Sequence, residues 1–204
     1  MPELVALTVA DDPEAWRRAG FSVDDGGTCR IGSVDVRIRP VSDGGGVQSW
    51  TLDLDVPSGS LDGIATETGA SGGGADGDHA NGAVGFDHVV VMTPDLDRTV
   101  SAFESQGLVV TATREGEAYG KLMRQAFFRL GDIVLDVAGP PVADGDGPAQ
   151  VFGLAVTVAD LGAAGSLLGE HLGEPKDATQ PGRQVASVRS KAGLKTPIAF
   201  MSPG

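Results

Sequence analysis

The chain repeats one short pattern three times, and this repetition restricts its fold more than any other feature. Leu4-Val-Ala-Leu-Thr-Val-Ala-Asp11, His88-Val-Val-Val-Met-Thr-Pro-Asp95 and Gly153-Leu-Ala-Val-Thr-Val-Ala-Asp160 are each an apolar run ending at an aspartate. A recurring pattern of this kind means one supersecondary unit used several times. Each run predicts a strand, and each aspartate predicts a helix N-cap that accepts from first-turn amides. Helical spacing follows. Leu96, Val100 and Phe103 share one face, as do Leu161, Gly165, Leu168 and Leu172, while Trp16 and Ala19 serve a shorter first unit. Gly20, Gly107 and Gly173 come next and predict left-handed C-terminal caps.

The ends of the units match as well. Arg30 to Ile38 and Arg129 to Val137 both read strand, glycine turn, strand, and Thr196-Pro-Ile-Ala-Phe-Met201 closes the last unit. Segments 4–41, 86–139 and 152–203 are each expected to run β-α-β-β-β. Val47 to Val56 predicts a lone strand which, with a tail to Thr68, is the remnant of a fourth unit. Residues 69–85 are rich in Gly, Ala and Asp and hold too little apolar surface to order themselves, which predicts a flexible linker. Shorter turn-rich stretches lie at Ser42–Gly46 and Gly139–Gly147. The expected organisation is a reduced N-terminal module with an extra strand (1–68), the linker (69–85) and a paired domain (86–204).

The order strand, Asp, helix, Gly, three strands, repeated in tandem, resembles the vicinal oxygen chelate superfamily of glyoxalases, extradiol dioxygenases and fosfomycin- and bleomycin-resistance proteins. The segments that carry the resemblance are DHVVVMTPDLDRTVSAFESQGL, QAFFRLGDIVLDVAGP, GLAVTVADLGAAGSLL and TPIAFMSPG. It implies an α+β fold in which tandem βαβββ modules form one curved eight-stranded mixed sheet. The helices lie outside and a ligand cleft inside.

Strand alternation assigns the faces. Val89 and Val91 oppose His88, Val90 and Met92. Ile133, Leu135 and Val137 oppose Val134 and Asp136. Phe152, Leu154, Val156 and Val158 oppose Gly153, Ala155 and Thr157, and Ile198 and Phe200 oppose Ala199. The bulky faces are expected to meet helices and the others to line the cleft.

Metal-dependent members of the superfamily place ligands at four cleft positions, which correspond here to His88, Asp136, Gly153 and Ala199. Only the first two carry ligating groups, whereas a transition metal usually takes three or more. The expected divalent-metal set is thus incomplete, with His88 and Asp136 as its members. The same two residues could instead act as an acid–base pair without metal, or His88 could be a hydrogen-bonded cleft histidine. Arg124, Gln125, Gln180 and Arg183 are the expected substrate-binding residues, because an arginine can grip a carboxylate or phosphate through two parallel bonds. The alternative is that both arginines are solvated edge charges. Cys29 reads as a small buried hydrophobe, and His79 and His171 as exposed. The run Gly72-Gly-Gly74 lacks the lysine of a phosphate loop.

Composition excludes further classes. A formal net charge of −13 repels phosphate backbones and anionic membrane surfaces. One cysteine cannot form an internal disulfide, and no run approaches about 18 apolar residues, so a cytoplasmic protein is expected. Three functions stay open. One is an enzyme, a lyase or isomerase acting on a small carbonyl, carboxylate or thioester-like metabolite. The second is a non-catalytic small-molecule binding protein of the resistance type. The third is a degenerate module that mediates dimerisation. An open N-terminal sheet edge would need a cover, either the C-terminal domain or a partner copy in a homodimer.

Overall fold

A computed structural model describes residues 2–40, 44–54, 59–70, 77–118 and 120–204. The Gly72–Gly74 run, the first two residues of the Ser42–Gly46 turn and the Val56 end of the expected strand lie outside the described residues.

Two sheets make up the fold. The N-terminal sheet has six strands: β1 (Leu4–Ala10), β2 (Thr28–Ile31), β3 (Val34–Arg39), β4 (Gly46–Leu52), β5 (Gly59–Leu61) and β6 (Ile64–Thr68). Helix α1 (Pro13–Arg18) follows β1. The C-terminal sheet has eight: β7 (Ala83–Met92), β8 (Ala112–Ala118), β9 (Lys121–Leu130), β10 (Ile133–Gly139), β11 (Gln150–Val158), β12 (Lys176–Asp177), β13 (Gln184–Ser187) and β14 (Ile198–Met201). Helix α2 (Leu96–Glu104) follows β7 and α3 (Leu161–Leu168) follows β11.

The strand orders are β2-β3-β1-β4-β6-β5 and β12-β13-β14-β11-β7-β10-β9-β8. In every unit the first strand pairs in parallel with the last: β1 with β3, β4 with β6, β7 with β10 and β11 with β14. Antiparallel pairs β1–β4 and β7–β11 then join two units into each sheet. The tandem α+β architecture is therefore present, with two corrections in its N-terminal half. The first unit has one strand fewer than expected. The remnant after Val47 is three strands, β4 to β6, that keep the unit's pairing without a helix.

Local rules account for the elements and for their departures. Asp95 and Asp160 cap α2 and α3 by accepting from Arg98 and Ala163 amides. In the first unit the cap is Asp12, not Asp11. Asp11 is fully buried and accepts instead from the backbone N–H groups of Asp12, Lys195 and Thr196, tying the first unit to the last. Gly20 and Gly107 adopt φ of 83° and 84° as expected. Helix α3, however, stops four residues before Gly173, at Gly169 with φ 53°, and continues as a 3₁₀ turn.

The helices lie outside the curl of the eight-stranded sheet but not outside the molecule, since the N-terminal sheet covers α2. Phe103 of α2 packs on Phe128 of β9 (centroids 5.6 Å) and on Trp50 of β4 (5.9 Å). The Trp50 indole donates to Thr66 Oγ1 at 2.7 Å, so its burial leaves no orphaned donor. The turn between β5 and β6 clamps α2: the Asp62 carboxylate accepts from Arg98 Nε at 2.7 Å and from the Thr99 hydroxyl.

The second half of the expected linker is built into the fold. Asn81 donates to Ala19 O at 2.8 Å, and β7 already begins at Ala83. His79 is 6% exposed rather than solvated. Its Nδ1 accepts from Ser22 N–H, and its Nε2 lies 2.8 Å from Arg30 O. Cys29 is buried as expected, and burial, aided by the Asp24 carboxylate, pushes its thiol up to about 12.

Candidate functional site in the eight-stranded sheet

The bulky faces point as expected except at Phe152, which a β-bulge leaves 48% exposed. Val89, Val91, Leu135, Val137, Val156 and Phe200 are fully buried in the core. The opposite face lines a cleft of about 510 Å³. Residues of both outermost strands line this cleft, Arg114 and Glu117 from β8 and Asp177 from β12. His88, Gln125, Phe127 and Asp136 line it from the central strands. Gln180 reaches it from the Gln180-Pro181-Gly182-Arg183 turn, where Gly182 has φ 80° and Arg183 N–H bonds back to Gln180 O at 3.2 Å.

Register places the expected pair apart. Reading across the floor, Ala199, Ala155, His88 and Val134 form one row. Gly153, Val90, Asp136 and Phe127 form the next. His88 and Asp136 thus sit on a diagonal, with a backbone step of roughly 7–8 Å. The hydrogen bonds described for each go to another residue, Asp87 for His88 and Gln125 for Asp136. Asp136 is 6% exposed, and both its oxygens lie within 2.9 Å of the Gln125 amide nitrogen.

The partner of His88 is Asp87. His88 Nδ1 lies 2.7 Å from Asp87 Oδ2, and the Arg183 guanidinium donates to Asp87 Oδ1. A β-bulge makes this possible. Phe86 pairs with Val156 and His88 with Ala155, so Asp87 is the extra residue and leaves the strict alternation. Burial pushes the Asp87 carboxyl up, but hydrogen bonds and charge from His88 and Arg183 outweigh it and hold the group below the usual carboxylate range. An ionised carboxylate only accepts, so the proton of a neutral His88 sits on Nδ1, and Nε2 is left with its lone pair.

Both expected arginines are paired with carboxylates. Arg124 lies on the other face of β9 and forms a two-pronged pair with Asp97, at 2.8 and 3.1 Å. Arg183 spends its guanidinium on Asp87 and on Ser202 O, reached by Nε at 2.9 Å and Nη2 at 2.7 Å. It positions Asp87, and through it His88. The cleft arginine is Arg114. It stands on an edge strand, and nothing in the sequence marked it as a cleft residue. Asp87 precedes His88 in the chain, but the bulge that takes it out of strict alternation had no residue-type signature in the sequence.

The donor set does not fit a chelated metal. Among the described residues no group of three His, Cys, Asp or Glu side chains converges on one point. The row of His88 is otherwise Ala and Val, and Asp136 is capped by Gln125. Nor, among those residues, is any helix long and apolar enough to cross a membrane.

No family model and no curated protein matches the sequence. Solved structures do match its shape. A substituted 4-hydroxymandelate synthase from Streptomyces coelicolor superposes with TM-score 0.66 at 13% identity, over 99% of this chain and 93% of that one. Methylmalonyl-CoA epimerase from Mycobacterium tuberculosis gives TM-score 0.48 at 18% identity, over 60% of this chain and 90% of that one. The synthase match spans both sheets, and with the parallel first-to-last pairing of every unit it shows that this chain has the fold of the vicinal oxygen chelate superfamily.

Proposed function

We propose that the cleft binds a small organic carbonyl compound and that His88 Nε2 moves a proton at the carbon next to the carbonyl, a reaction of the isomerase or lyase type. The observation that carries this reading is the Arg183–Asp87–His88 chain, which holds Nδ1 of a histidine that lines a 510 Å³ cleft. In the forward step the C–H electron pair moves toward the carbonyl oxygen as the proton passes to Nε2. Asp87 stabilises the imidazolium that results. The Arg114 guanidinium and the Gln180 amide are the donors available to the developing oxyanion.

Charge narrows the ligand. Glu117, Asp136 and Asp177 line the cleft against one arginine, Arg114, in a chain of net charge −13. That balance disfavours a polyanionic ligand, and the two arginines expected to grip a carboxylate are already paired. A neutral carbonyl compound fits better than a carboxylate.

A second reading, binding without turnover, is favoured by the floor around His88, where its row offers only Ala199, Ala155 and Val134. Solvent-deuterium wash-in separates the two. Methyl ketones incubated with the full chain in D₂O should gain deuterium next to the carbonyl, and His88→Gln should slow this by about 10²- to 10⁴-fold. Ketones that bind but exchange no faster than in buffer would leave only the binding reading.

A further inference from the structure

Beside the polar cleft lies a second compartment of about 390 Å³, lined mainly by apolar groups. His88 and Val185 belong to both, so the two spaces meet at the imidazole. The floor of the second compartment is Gly153, Ala155 and Ala199, of which Gly153 and Ala199 stand at two of the positions where the resemblance implies ligands. Its wall is Phe152. Strand alternation would bury Phe152 beside Leu154, but a second β-bulge intervenes. Val151 pairs with Val91 and Gly153 with Val90, so Phe152 is the extra residue, and it remains 48% exposed at the rim of the compartment. Pro197 lies against Gly153, with its carbonyl oxygen 3.2 Å from where a Cβ would stand.

We infer that this compartment holds the apolar part of the same ligand whose carbonyl lies at His88, so that the ligand is an uncharged ketone or aldehyde bearing an alkyl chain or aryl ring. The inference rests on the proposed role of His88 only for where the carbonyl sits; the apolar subsite itself stands on the two bulges, the small floor and the shared lining. An apolar cavity of roughly 150 Å³ is enough for benzene, so 390 Å³ accommodates a ring or a medium chain. Phe152 is turned out of its strand onto this compartment and not onto the polar one. An apolar ligand wall gives that bulge a use.

The test is a ligand-observed NMR titration of the straight-chain methyl ketones from acetone to 2-octanone against the full chain. Affinity is expected to rise about three- to fourfold per methylene along the series, as apolar groups leave water. Ala199→Leu, which fills the floor, is expected to flatten that slope, as is Phe152→Ser, made at a half-exposed position where folding is least at risk. Thermal melts check that both variants are folded. Equal affinity along the series, a slope that both variants leave unchanged, or no binding of any homologue would overturn the subsite. Deuterium wash-in reports on His88 and the slope on Phe152 and Ala199, so either idea can fail without the other.

Discussion

At the scale of single residues, the chemistry of the cleft depends on one aspartate that strand alternation hides. His88 could be read from the sequence because it begins an apolar strand in a known position of the repeat. Asp87 could not, because a bulge is a backbone event with no residue-type signature here. Arg183 was assigned to a ligand, yet its three bonds go to Asp87 and Ser202. Asp87→Asn should therefore disturb both the tautomer of His88 and the pH dependence of stability. The native carboxyl titrates below its unfolded value of about 3.9. Its contribution is then complete above that value and lost as pH falls through the lowered native one. Melting temperature followed from pH 6 down to pH 2 should fall less steeply in Asp87→Asn than in the parent. An equally steep fall would show that Asp87 does not contribute. Cys29, held at about 12 by burial, should resist thiol reagents at pH 8 until the chain is unfolded.

At the scale of elements, the repeat was legible because each unit restates the same strand, cap and hairpin. The Arg30–Ile38 and Arg129–Val137 hairpins form around Gly32 and Gly131, with φ of 58° and 64°. The fourth unit was only partly legible. A helix missing from a repeat removes the periodic segment that would announce it, and β5 and β6 are short. The position of α2 was not legible either, since its apolar stripe shows that it is covered but not by what. Phe103, between Phe128 and Trp50, is where the two sheets meet through this helix. Phe103→Ala should cost about 3–5 kcal/mol in denaturant unfolding. A loss under about 1 kcal/mol would mean that the helix does not couple the sheets.

At the scale of the whole molecule, the two sheets share one buried core in which Leu7, Trp50 and Phe21 stand with Phe103, Phe128 and Phe200. Asp11 and Asp62 bind backbone or side chains of the C-terminal half. The chain should therefore unfold in one transition, with tryptophan fluorescence, which reports Trp16 and Trp50, coinciding with far-ultraviolet circular dichroism. Two separated transitions would instead mean that residues 1–68 fold on their own. Residues of both edge strands, β8 and β12, line the cleft, and the proton transfer proposed above depends on how His88 is presented there. Nitrogen-15 NMR of the His88 ring in the full chain tests that presentation most directly. A neutral His88 protonated at Nδ1, with Nε2 bare, that loses this preference in Asp87→Asn is the expected result. A ring protonated at Nε2 in the parent chain would contradict it.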